Sequence, residues 1–136
     1  MAVKTITAWV TDTEQTVYGY AARLNAVEII PHSTQASEVY LQIWNVANPD
    51  PGTTAPNLVL RIPTGDSQGA GADADRTTAP SGGSSRKIKY VFSGAGFIFD
   101  TAITILCTTT PSGQTAASTT SLPEQVRVFY TPLAIA

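Results

Sequence analysis

Chemistry at a protein site needs titratable or nucleophilic side chains gathered in one place, and this sequence has few to gather. His32 is the one histidine. As a general base it would need a pocket and an acidic partner, but Pro31 and Ser33 flank it in a turn cluster, the setting of a solvated turn residue. Cys107 is the one cysteine, so no intrachain disulfide can form, and cysteine metal or redox motifs need more than one. It ends the run Ile103-Thr-Ile-Leu-Cys107 with no cation beside it, which reads as a small buried hydrophobe rather than a thiolate. No G-x-S-x-G turn marks a serine nucleophile. Asp66, Asp73 and Asp75 carry the hard oxygens that calcium takes, yet their spacing fits neither an EF-hand nor a clean nonapeptide repeat. They read as acids that keep a weakly charged loop soluble. Gly94-Ala-Gly96 joins two strand-like runs instead of opening a helix, so it is a turn and not a phosphate cradle. No catalytic residue, metal site, cofactor or small-molecule substrate is expected, and the chain reads as a non-enzyme.

Binding surfaces are the better prospect. Arg86, Lys87 and Lys89, with Arg76 nearby in sequence, form a small basic strand. It lacks the interleaved aromatics of a nucleic-acid surface and suits an acidic protein surface, or a solvated edge strand guarded by lysine. Tyr18, Tyr20, Tyr40 and Trp44 are the aromatics of interest. Tyr40 and Trp44 fall opposite the core face of their strand, where they would form an exposed aromatic interface unless a second layer covers them.

The elements that must position these residues are strands. The 136 residues amount to a single domain, 1–136, with 13% charged residues, about half the usual share. The net charge of −2 draws in no polyanion, so no nucleic-acid partner is expected. No run of about 18 apolar residues is present to span a membrane, and Met1 to Val10 does not have the pattern of a secretory signal. Synthesis in a cytoplasm is expected.

Period-two alternation recurs along the chain, and helical spacing does not. Val39, Leu41 and Ile43 share a face opposite Tyr40, Gln42 and Trp44; Leu58, Leu60 and Ile62 oppose Val59 and Arg61. Ile88, Tyr90 and Phe92 oppose Lys87 and Lys89, while Val126, Val128 and Tyr130 oppose Gln125, Arg127 and Phe129. The longest run carries Phe97, Phe99, Thr101, Ile103, Ile105 and Cys107 on one face. Val17 to Ile30 is strand-like with a break near Ala26, which predicts a bulge or two shorter strands. Residues 1–16 hold a first strand of the domain or an arm that pairs with a neighbouring subunit; an exposed Trp9 would favour the arm. Residues 64–85, rich in Gly, Ala, Asp and Ser, predict a long surface loop. Seven to nine short strands at this spacing predict an all-β fold, an antiparallel β-sandwich of jelly-roll type.

The order of these pieces resembles a group of small tailed-bacteriophage virion proteins. Glu38-Val-Tyr-Leu-Gln-Ile-Trp44, then Gly52-Thr-Thr-Ala-Pro56, then Leu58-Val-Leu-Arg-Ile-Pro63 is similar to that group's aromatic-ended strand, G-T-x-x-P turn and short apolar strand ending in proline. Ile88 to Gly94, then Gly96-Phe-Ile-Phe99, then Thr101 to Thr110 resembles its phenylalanine-glycine turn and Thr-ended strand, and Gln125-Val-Arg-Val-Phe-Tyr130 its final strand. The chain departs from the pattern at Asp100-Thr101, where the second turn glycine belongs, and in the length of the 64–85 loop. The resemblance implies a capsid cement or decoration protein: a homotrimeric β-sandwich on the outer capsid surface of a virion, bridging subunits of the major capsid protein. Ile6, Trp9, Arg86, Lys87 and Lys89 are the expected contact residues. The rival from another class is a receptor- or glycan-binding module of a tail fibre or baseplate, built on exposed Tyr and Trp.

Overall fold

A computed structural model describes residues 1–7, 14–32, 39–50, 55–62, 87–111 and 122–133. Trp9, Arg76, Arg86, Asp66, Asp73, Asp75 and the 64–85 segment lie outside them. The described elements are all strands: β1 (Ala2–Ile6), β2 (Gln15–Tyr18), β3 (Ala22–Ile30), β4 (Val39–Trp44), β5 (Leu58–Ile62), β6 (Ile88–Val91), β7 (Phe97–Phe99), β8 (Ile103–Thr108) and β9 (Gln125–Pro132). They form two antiparallel sheets packed as a β-sandwich, one in the order β1-β9-β3-β6 with β7 also on β3, the other β2-β8-β4-β5. Ala2 to Ile6 is therefore a strand of the chain's own sheet, paired with β9 from Ala2↔Tyr130 to Ile6↔Val126.

The pairing has a simple logic. β6 pairs with Ala26 to Ile29 and β7 with Ala22 to Leu24, while β9 occupies the whole opposite edge of β3. β6 and β7 are thus two halves of one strand interrupted at residues 92–96. Counted that way, the first strand pairs with the last, the second with the last but one, the third with the β6–β7 unit, and β4 with β5. These are nested rungs of one long hairpin. The remaining pairs, β3–β9 and β4–β8, arise where that hairpin rolls up and brings rung against rung.

The core fills the space between the sheets. Ile6, Leu24, Val27, Ile29, Val126 and Val128 point in from one side; Val39, Leu41, Ile43, Ile103, Ile105 and Cys107 from the other. Each fully buried Ile or Leu contributes roughly 1.5–3 kcal/mol. Between Leu24 and Ala26 the register against β9 shifts, and the inward set changes phase from Ala22 and Leu24 to Val27 and Ile29. This bulge is the break that the sequence pattern shows near Ala26. Its extra residue, Asn25, accepts a hydrogen bond from the Phe92 amide at 3.0 Å and donates from Nδ2 to Thr131 Oγ1 at 2.8 Å. At the far edge the Tyr90 hydroxyl donates to the Arg61 carbonyl at 3.2 Å, clasping β6 to β5 across the two sheets.

The expected single run from Phe97 to Cys107 divides into β7 and β8, which belong to different sheets. Asn45, just past β4, is the cause. Its Oδ1 accepts from the Thr101 amide at 2.8 Å and the Ala102 amide at 3.3 Å, and its Nδ2 donates to Asp100 Oδ1 at 2.7 Å. The chain therefore turns at residues 100–102 and crosses the sandwich. Phe97 shares the side of β7 that carries the buried Phe99, yet it is left 44% exposed and meets Phe92 edge-to-face at 5.0 Å.

Two predictions follow from the turns. Gly94 and Gly96 both have positive φ, 69° and 67°. A Cβ on Gly94 meets open space, whereas one on Gly96 collides with the Leu24 carbonyl oxygen. Gly94→Ala should cost about 1–2 kcal/mol, the left-handed conformation alone. Gly96→Ala should cost clearly more, because the backbone of β3 must also move; urea unfolding of the two variants separates the effects. Asp100 is the second case. The hydrogen bond from Asn45, then that from Thr101, holds its carboxyl below the ordinary aspartate range. A lowered folded pKa means that this stabilisation is complete above the ordinary value and is lost as pH falls through the folded one. Titration followed by carboxyl-carbon NMR should show Asp100 moving back towards the ordinary range in Asn45→Ala, and an unmoved titration would contradict the assignment.

Candidate functional site

The two sheets differ on their outer faces, and that difference locates the candidate site. In the β2-β8-β4-β5 sheet the outward residues of the central pair are buried. Trp44, Gln42, Thr104 and Thr108 are 0% exposed, and Leu106 is nearly so. Every polar group in this layer finds a partner. The Gln42 amide donates to the Pro111 carbonyl at 2.8 Å and the Thr110 carbonyl at 3.5 Å, while its oxygen accepts from Trp44 Nε1 at 3.2 Å. Thr104 Oγ1 donates to the Val46 carbonyl at 2.7 Å, and Thr108 Oγ1 to the Thr110 carbonyl at 2.6 Å. Trp44 is therefore no exposed interface residue: its indole is sealed in a covered layer whose hydrogen bonds are met internally. Tyr40, at the end of that row, is half-buried.

Among the described residues, nothing covers the outer face of the β1-β9-β3-β6 sheet in this way. Register places its outward side chains in rows. Val3, Phe129, Ala26 and Val91 form one row across the four strands. Thr5, Arg127, Glu28 and Lys89 form the next. Arg23 and Ile98 lie paired at the β7 end. Val3, Val91 and Ile98 are 44%, 68% and 53% exposed. Glu28 is buried at the centre of the charged row, with Arg127 Nη1 at 3.2 Å, Lys89 Nζ at 3.7 Å and Lys87 Nζ at 4.0 Å. Lys89 also lies over the Phe129 ring at 4.8 Å and Arg127 at 5.3 Å, so one aromatic ring contacts two of the cations that Glu28 anchors. The result is an apolar strip with a rigid cationic border.

The sequence-level contact residues distribute unevenly over this picture. Lys87 and Lys89 are on the unclad face, half-exposed. Ile6 is not available for a contact: it points between the sheets, 5% exposed, because its pairing with Val126 puts it in the inward phase of β1. Trp9 and Arg86 are outside the described residues. Glu28, Arg127, Phe129, Val91 and Ile98 are the members that sequence reasoning passed over. Arg127 and Phe129 alternate with the buried Val126 and Val128 and so were legible as outward residues; Glu28 lies just beyond the bulge, where the phase is not.

Cys107 is buried between the sheets, and burial pushes its thiol well above the usual range. His32 is half-buried past the end of β3, and no metal-ligand group of three or more His, Cys, Asp or Glu forms among the described residues. No described helix is long and apolar enough to cross a membrane. Near the β2–β3 turn, Tyr18 packs edge-to-face on Tyr20 at 5.7 Å and against Tyr130 at 5.0 Å, with Tyr20 61% exposed.

The Glu28 hub yields a direct test. Glu28→Gln keeps the shape and leaves three neighbouring cations without their counter-charge. The cations are 38–50% exposed, so solvent screens them and the loss should be modest, about 1–2 kcal/mol. Urea unfolding should show that loss shrinking at about 1 M salt, where the Debye length is about 3 Å. A loss independent of salt would mean that packing, not charge, is what Glu28 supplies.

Comparison of the chain with protein-family models, with curated proteins and with solved structures returns no match.

Proposed function

We propose that this chain is a structural docking module of a virion, a capsid cement or decoration protein that bridges subunits of the major capsid protein. The observation that carries the reading is the asymmetry of the sandwich. One sheet buries the outward side chains of its central strands, whereas the other leaves an apolar strip and a cationic border exposed. A face of that composition favours burial against another macromolecule over permanent solvation. The nested-hairpin strand order supports a jelly-roll reading, and viral capsid domains are among the users of that architecture. The order of strand and turn motifs that resembles small tailed-phage virion proteins points the same way.

In mechanism, such a protein adds interface area where neighbouring capsid subunits meet, and a homotrimer engages three copies of the contact at once. Each contact then forms at high effective concentration, so weak individual surfaces sum to a firm clamp. No reacting group is required. The rival reading, a receptor- or glycan-binding module of a tail fibre or baseplate, draws on the exposed Tyr20 beside Tyr18, since a ring with a free face can stack on a sugar.

The test uses particles of the virus whose genome encodes the chain, assembled with its gene deleted. Purified protein should bind the heads with saturable stoichiometry, and the coated heads should survive heating or osmotic shock that ruptures bare ones. Binding to tails or to host-surface glycans in place of heads would overturn the cement reading in favour of the receptor module.

A further inference from the structure

The partner's chemistry can be read from the unclad face. Of the chain's eight Lys and Arg residues, four (Arg23, Lys87, Lys89 and Arg127) gather on the outer face of the β1-β9-β3-β6 sheet, where Glu28 is the one carboxylate among the described residues. The chain as a whole is net −2, so the face is a local reversal of the protein's sign. The border is also fixed in place. Glu28 and Phe129 hold Lys89 and Arg127 from two directions, which lowers the entropy lost when they meet an anion. Arg23 lies on the same face at the β7 end, paired with Ile98.

We infer that the outer face of the β1-β9-β3-β6 sheet docks an acidic protein surface, one that presents apolar side chains to Val3, Val91 and Ile98 and carboxylates to Lys87, Lys89, Arg127 and Arg23. This deepens the docking-module reading and rests on it. Two other occupants fit less well. A second copy placed face to face would bring like charge against like charge, at a cost. A nucleic acid would find no free ring for base stacking at Phe129, whose ring the cations contact, and would meet Glu28 within the cationic row.

The experiment is an NMR titration of the isotope-labelled full chain with a synthetic peptide alternating Glu with Leu and Phe. Controls are a Lys-Leu-Phe peptide, poly-glutamate and an oligothymidine. The acidic apolar peptide should shift the amides of Val91, Ile98, Lys89 and Phe129. Its affinity should fall at least about tenfold in Val91→Asp and in the Lys87→Glu/Lys89→Glu double variant, each a large part of a charged or apolar contact. It should fall with salt as well, and poly-glutamate should bind more weakly. Val91 is exposed and the two lysines are half-exposed, so the folds should survive; unchanged amide spectra away from the face check this. Shifts confined to another surface, indifference to both variants, no binding, equal binding of oligothymidine, or burial of the face by self-association would each overturn the inference. Head binding separates it from the broader proposal. If wild-type protein coats heads and both variants coat them equally, the face falls and the cement role stands. If wild-type protein does not coat heads, the cement role falls, and the peptide titration still decides the face.

Discussion

The antiparallel pairing of β3 with β9 is the constraint on which the rest of the molecule depends. It joins Ala22 to Ile30, early in the chain, with Gln125 to Pro132 near its end, so nothing in this sheet is complete until those distant segments meet. Inward, the pair supplies Leu24, Val27, Ile29, Val126 and Val128 to the core. Outward, it brings Glu28 beside Arg127 and sets Phe129 beneath the cations. The same ladder therefore carries stability on one side and the candidate docking surface on the other. Closing so long a loop is entropically expensive and slow, which is the usual price of β topologies built from non-local rungs.

Rolling a nested hairpin into two sheets leaves each with an outer face to dispose of. In the β2-β8-β4-β5 sheet the disposal is internal: Gln42, Trp44, Thr104 and Thr108 bond to carbonyls of residues 46, 110 and 111 or to each other, and the layer closes. In the partner sheet Glu28 anchors more cations than it can neutralise, and the apolar row beside it stays exposed. An apolar row bordered by anchored cations fits recognition better than it fits solvation, and it does so without any pocket or reacting group.

Much of this was legible in the sequence, and the failures are instructive. Val39-Leu41-Ile43, Leu58-Leu60-Ile62 and Val126-Val128-Tyr130 declare their strands because each has one buried face and period-two spacing. The same rule misjudged Trp44. Alternation says which side chains share a face; it cannot say whether a second layer covers that face, and here residues far along the chain do so. Phe97 to Cys107 alternates without a flaw, yet it is two strands, because the interruption is imposed by Asn45, more than fifty residues away. Ile6 is expected at a contact only through the resemblance, and its pairing with Val126 reveals that it turns inward. The basic strand at Lys87 and Lys89 could be found from its own residues. Its completion by Glu28, Arg127 and Phe129 could not, since cross-strand neighbours are set by register.

The central claim is that the chain docks through the outer face of the β1-β9-β3-β6 sheet. Under the proposed cement role, cryo-electron microscopy of virions carrying the chain tests it most directly. The account predicts density over the head lattice, in copies proportional to the major capsid protein, with Val91, Ile98 and Lys89 against a capsid subunit that presents carboxylates. Density confined to the tail, or head density with that face turned to solvent, would contradict it.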